Sequence, residues 1–172
     1  IPSHEAYNIQ MIEFALKNFK KIIISAGCLK TNELKNLVKL IKSKKKFLKK
    51  TIILHCVSSY PLEAKNCNFN KFEYLKKELG KAGYSGHYNG IEDAIYAISK
   101  GACLIEKHFT INKKLPGRDN KFALNEKQFK EIYLFKSLCK EFEVKKGISL
   151  QNCEKDIFKN YRGRWSKNQK IN

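Results

Sequence analysis

Gly101-Ala-Cys-Leu-Ile-Glu-Lys-His-Phe-Thr110 reads as a buried strand that ends in a histidine, and its reading decides the fold. Twenty-one positions before His108, His87 closes a second run of strand character, Lys81-Ala-Gly-Tyr-Ser-Gly-His87. Ile91 to Lys100, between the two, has the apolar spacing of a helix, so the segment is a strand–helix–strand unit. Strands joined in this way run parallel and lie roughly 4.8 Å apart. Both imidazoles then emerge side by side at one end of a sheet, the end at which α/β folds assemble their sites. Two neutral imidazoles there can share a metal ion, although a lone strand-end histidine is more often a packed, hydrogen-bonded residue.

Outward from this unit the chain keeps the same rhythm. Asn8 to Phe19 has an apolar helical face, Lys21 to Ser25 is a short buried strand, and Thr31 to Ser43 is a helix. Thr51 to Val57 is the next strand and Asn70 to Leu79 the next helix, with a last helix over Asn125 to Phe142. Strand starts near residues 1, 22, 51, 82 and 102 are separated by about 20 to 30 residues, the size of a βα unit. The expected class is therefore α/β with a parallel sheet.

A chain of 172 residues that is 42% hydrophobic can bury one sizeable core. No apolar run approaches the roughly 20 residues needed to cross a bilayer, and no charged-then-apolar leader opens the sequence, so no membrane partner is expected. The first residue is not methionine, which fits a processed chain or a fragment. Six cysteines form no CxxC pair, and Cys56 and Cys103 sit inside apolar strand patterns. Packed, reduced thiols point to the cytoplasm. The net charge of +19 is spread along the chain, with its densest cluster from Lys42 to Lys50. That cluster reads as a solvated helix surface rather than a nucleic-acid site, and a basic protein still attracts small anions.

Ser3, Ser25, Ser58 and Ser85 each lie at the exit of a different strand. If the strands curve into a barrel, these hydroxyls and the adjacent backbone N–H groups ring one mouth, a surrounding suited to phosphate or carboxylate. Taken singly, each is ordinary turn chemistry. Glu106 and His108 are two apart on a strand and share a face, so Glu106 is placed to orient an imidazole or a bound water, while Lys107 points to the opposite face. His55 reads as a barrel-interior residue and His4 as solvent-facing. Asp119, after Pro116-Gly117, either caps a turn or faces a ligand.

His55-Cys-Val-Ser-Ser-Tyr-Pro61, Gly83-Tyr-Ser-Gly-His87, Ile105-Glu-Lys-His-Phe-Thr110 and Leu115-Pro-Gly-Arg-Asp119 resemble, in this order, consecutive signatures of the sialic acid synthases. These phosphoenolpyruvate-dependent enzymes include N-acetylneuraminate, legionaminate and pseudaminate synthases. Ile1-Pro-Ser-His-Glu5 and Ile22-Ile-Ile-Ser-Ala-Gly27 resemble the two preceding strand ends. The resemblance implies a partial TIM (β/α)8 barrel over residues 1–142, about strands four to eight, followed by a basic tail over 143–172. It implies condensation of phosphoenolpyruvate with an N-acyl aldose, such as N-acetylmannosamine, to a nonulosonic acid with release of phosphate. The family's two metal-holding histidines, for Mn2+ or Mg2+, match His87 and His108. Serines matching Ser3, Ser25 and Ser85 grip phosphoenolpyruvate, Ser58 stands where a polar residue is frequent, and Tyr60 matches a sugar contact. Glu5 and Asp119 match positions that touch the sugar or its water, and with Glu106 they are the candidate catalytic carboxylates.

Against that pattern, Gly86 replaces a common aspartate, Arg118 stands where proline is frequent, and nothing matches the first three barrel strands with their phosphoenolpyruvate-binding lysine. The family's C-terminal antifreeze-like domain, which donates an arginine to a neighbouring subunit, has no counterpart in the tail with its Tyr161-Arg-Gly-Arg-Trp-Ser-Lys167 run. An open barrel leaves an unpaired strand edge, from which a homodimer is expected. The alternatives are a non-catalytic sugar- or anion-binding module and, on the arginines of the tail, a nucleic-acid-binding domain.

Overall fold

The computed structural model describes residues 1–165. The chain divides into two compact units, Ile1–Cys139 and a second that begins at Lys140. In the first, β1 (Ile22–Ser25), β2 (Thr51–Cys56), β3 (Gly83–Gly86) and β4 (Ile105–Lys107) form one parallel sheet in the order β1-β2-β3-β4. A doubly wound sheet reverses its strand order part-way, whereas an arc of a barrel does not. Helix α1 (Ile9–Asn18) precedes β1, helices α2 (Thr31–Lys42), α3 (Lys45–Lys50), α4 (Phe69–Leu79) and α5 (Glu92–Ser99) fill the connections, and α6 (Glu126–Phe142) follows β4.

The sheet is curled. In a flat sheet β1 and β4 lie three strand spacings apart, about 14 Å. Yet Ser25 Oγ on β1 donates to Glu106 Oε1 on β4 at 3.0 Å. Two short side chains meet over that span only if the sheet bends so that both point into a concave interior, giving a parallel four-strand half-barrel.

Register decides which residues line that interior. Ser85 on β3 is the register partner of Cys56 on β2 and of Glu106 on β4. The opposite face carries Ile24, Ile53 and Tyr84, which pack with Leu37, Ile41, Phe72 and Leu75 into the core beneath the helices. Burial of such side chains stabilises the fold by about 1.5–3 kcal/mol each. Local signals set the helix ends: the Asn8 side chain accepts from the Met11 N–H at the start of α1, and Gly80 closes α4 at φ 73.

Several expected boundaries shift. Instead of a strand at residue 1, Ile1 makes only two backbone hydrogen bonds to β1, through Ile23 O and the Ser25 N–H, and Ser3–Glu5 coils into a 3-10 turn. Gly101 at φ 85 reverses the chain after α5, the first bond to the neighbouring chain runs from Cys103 N–H to Ala82 O, and the regular strand begins at Ile105 rather than 102. Cys103 is consequently exposed, not packed, whereas Cys56 is buried, and all six cysteines are free thiols. Residues 45–50 add the short helix α3, which the spacing does not predict.

In the second unit, a 3-10 turn at Asn152–Glu154 leads into α7 (Lys155–Asn160). The guanidinium of Arg162 lies 4.5 Å from the Phe158 ring centre, and that of Arg164 lies 5.4 Å from Tyr161. Ser166 and Lys167 of the basic tail lie outside the described residues. Among the described residues no helix is long and apolar enough to cross a membrane.

Candidate active site

The C-terminal ends of the strands and the 3-10 turn surround a cavity of about 580 Å³. Ser3, Ser25, Ser58, Tyr60, Ser85, His87, Glu106 and His108 all line it, so the residues singled out from five separate segments converge. Two expected residues do not line it. Glu5 accepts from Asn8 Nδ2 at 3.2 Å beside the start of α1. Asp119 accepts the N–H groups of Phe122 and Ala123 on its carbonyl, closing a turn, while its carboxylate stands 3.8 Å from His108 Nδ1. His55 is fully buried and packs under the sheet against Phe69 and Tyr84; His4 is exposed yet lines the same cavity.

His87 and His108 lie with ring centres 5.3 Å apart. His87 Nδ1 is 3.1 Å from the Val57 carbonyl, and because a carbonyl only accepts, Nδ1 carries the proton and Nε2 keeps its lone pair. Burial pushes the His87 pKa down, the Val57 carbonyl partly opposes this, and His108 and Lys107 add to the fall. A neutral ring whose second nitrogen is anchored on backbone is the usual arrangement of a metal-binding imidazole. Among the described residues no group of three or more metal-ligating side chains occurs. A divalent ion held here would therefore take its remaining ligands from water or substrate. Two imidazoles facing one cavity are donors that such an ion accepts. Tyr60 packs against His87 at 4.2 Å and edge-on to His108 at 6.0 Å; burial pushes its phenol up while the Ser58 hydroxyl opposes the shift.

Ser25 and Ser85 both donate to Glu106 Oε1, at 3.0 and 2.7 Å, so their protons must swing off the carboxylate to meet an anion. Ser3 Oγ accepts the Gly27 N–H at 3.1 Å and donates to Cys56 Sγ at 3.3 Å. A Cβ added at Gly27 would stand 2.3 Å from Ser58 Oγ and 2.5 Å from Ser3 Oγ. Gly27 thus permits two hydroxyls and backbone to close on one point. Its place in Ser25-Ala-Gly27 marks it as a loop residue, but nothing local marks it as this junction.

Other residues were not singled out as part of this site. Cys28 and Arg118 line the cavity. Phe122 packs edge-on to His108 at 5.3 Å, fourteen residues along the chain, with no local signal for the contact. The half-buried Lys71 ammonium donates to the carbonyls of Ala26 and Cys56, tying the ends of β1 and β2 together, and burial pushes its pKa down. A separate cavity of about 470 Å³, lined by Phe69, Tyr88 and Tyr96 among others, has no such convergence of hydroxyls and imidazoles.

Comparison with known proteins agrees with this geometry. Residues 1–146 match the NeuB family. The chain is 32% identical over 133 residues to N,N'-diacetyllegionaminic acid synthase of Campylobacter jejuni, covering 77% of this chain and 40% of that protein. It is 34% identical over 133 residues to pseudaminic acid synthase of Helicobacter pylori, covering 77% of this chain and 38% of that protein. The crystal structure of N-acetylneuraminic acid (sialic acid) synthetase from Leptospira borgpetersenii superposes with a TM-score of 0.79 at 29% identity, covering 98% of this chain and 58% of that one. The chain spans about two-fifths of the length of the two curated relatives. With a family match over most of its residues and a half-barrel whose strand ends carry the paired histidines, the chain belongs to the NeuB family.

Proposed function

We propose that this chain carries the metal-side half of a nonulosonic acid synthase site, for condensation of phosphoenolpyruvate with an N-acyl aldose such as N-acetylmannosamine, with release of phosphate. The observation that supports this reading above others is the pairing of His87 and His108, 5.3 Å apart, in a cavity rimmed by hydroxyls from two further strand ends and the 3-10 turn. The relatives that the chain resembles are sugar-acid synthases.

His87 and His108 would hold Mn2+ or Mg2+, which when bound supplies Lewis acidity toward the sugar's aldehyde oxygen. The protein's own groups do the rest. Ser3 and Ser58, converging at Gly27, offer hydroxyls to the phosphate or carboxylate of phosphoenolpyruvate, and Ser25 and Ser85 join them by rotating off Glu106. Glu106, released from those two donors, holds a water or sugar hydroxyl by accepting its proton in a hydrogen bond. Tyr60 packs against both imidazoles and limits their rotation. Asp119 orients His108 from outside the cavity, and Glu5 steadies the turn that carries Ser3.

Incubating the chain with phosphoenolpyruvate, N-acetylmannosamine and Mn2+ tests the reading. Phosphate release together with a new α-keto acid supports it. Absence of both turnover and binding overturns it. A second reading, sugar or anion binding without turnover, is favoured by the hydroxyls that line the cavity, which can hold an anion with no ion bound, and the same assay identifies it as binding without phosphate release.

A further inference from the structure

Behind the histidine pair, on the helix side of the sheet, lies a buried cluster that takes no part in the cavity chemistry. Lys107 Nζ donates to both carboxylate oxygens of Asp93, at 2.9 and 3.0 Å, and to the Tyr88 carbonyl at 2.9 Å. Both side chains of the ion pair are 2% exposed. Asp93 also accepts the Tyr84 hydroxyl at 3.1 Å and the Ala94 N–H at 2.8 Å. The absence of a side chain at Gly86 lets the carboxylate in, since a Cβ there would stand 2.2 Å from Asp93 Oδ2.

The connectivity is what makes this cluster informative. Tyr88 follows His87 directly, and Lys107 directly precedes His108. Asp93 sits in the first turn of α5, the crossover helix that joins the two strands. Strand alternation sends the Lys107 side chain away from the face that carries Glu106 and His108. One ammonium therefore ties together the main chain beside each histidine and the helix between them. An ion pair so buried contributes little net stability compared with apolar residues of the same shape, and its better-attested use is to specify one geometry.

We infer that Asp93 and Lys107 are positioning residues that set the separation and orientation of His87 and His108. This rests on the proposed function only in taking a divalent ion as the ligand of that pair. Outer partners of metal-binding imidazoles typically change affinity 10–100-fold when removed. Lys107→Met keeps the stem and deletes the ammonium. Asp93→Leu/Lys107→Met removes both charges and leaves no unpaired ion if the single variant fails to fold.

Calorimetric titration with Mn2+, thermal melting and long-range 1H–15N spectra of the imidazoles in the metal-free chain form the test. Mn2+ affinity is expected to fall about tenfold or more in both folded variants. Lys42→Met, which breaks the surface pair with Glu78, leaves it unchanged. Unaltered affinity and unaltered imidazole signals in a folded variant overturn the inference. If the parent chain takes up no Mn2+, the metal reading fails, and the spectra then decide alone. Displaced His87 and His108 signals in Asp93→Leu/Lys107→Met, which leaves the net charge unchanged, uphold positioning, and superimposable signals there refute it.

Discussion

His55 makes the stability of this fold sensitive to mild acid, and the size of the effect follows from its surroundings. Its Nε2–H donates to the Cys67 carbonyl at 2.7 Å, Nδ1 has no hydrogen-bond partner among the described residues, and the side chain is fully buried. Burial lowers its pKa from 6.5 to about 4, the Cys67 carbonyl opposes the shift, and Lys71 reinforces it. The unfolded chain, with the ordinary value, binds a proton over the interval from 6.5 to 4 that the folded chain refuses. The neutral ring's contribution is therefore complete above pH 6.5 and is lost as pH falls toward 4. The shift corresponds to on the order of 3 kcal/mol, accumulating at about 1.4 kcal/mol per pH unit. His55→Leu removes the titration and orphans the Cys67 carbonyl, which costs about 1 kcal/mol at neutral pH. Urea midpoints of the two proteins should then cross close to pH 6, with the variant more stable below that point. Parallel curves for parent and variant from pH 7 to 4 would refute the assignment of the acid lability to this ring.

Other outcomes follow from the cavity itself. His87→Asn and His108→Asn should each lower Mn2+ affinity by about 100-fold or more by calorimetry, because a two-imidazole site has no protein ligand in reserve. Ser85→Ala removes the shorter of the two hydrogen bonds to Glu106, and chemical denaturation should show a loss of about 1.5–3 kcal/mol. Gly27→Ala should weaken phosphoenolpyruvate binding, measured by calorimetry, more than it weakens folding. The added methyl meets the Ser58 and Ser3 hydroxyls, whose displacement removes the anion contacts while leaving the core beneath the helices intact.

Chain spacing alone identified much of this protein. Apolar runs at Ile22–Ser25 and Thr51–Cys56 are short and bounded, so they read as buried strands, and the intervals between strands leave room for one helix each. Strand alternation put Glu106 and His108 on one face and Lys107 on the other, and strand-end position brought His87 beside His108. These are consequences of a period of two along a strand and of parallel crossover, both local rules. Elsewhere local preference lost to its neighbours. Ala102 and Leu104 look like strand residues, but after the positive φ of Gly101 the regular strand begins only at Ile105, and the 3-10 turn at Ser3 replaces a strand that composition favours.

What only the tertiary structure decided is distance across the sheet. Ser25 and Glu106 are separated by 81 positions, and nothing near either residue announces the hydrogen bond that joins them. Phe122 at His108, Gly27 between two hydroxyls and Asp93 under Lys107 belong to the same class. Sequence spacing sets order and face, because those repeat every few residues along one element. Curvature is the sum of twist and packing over all four strands and their helices, so the contacts it creates exist only once the whole arc has closed to that radius.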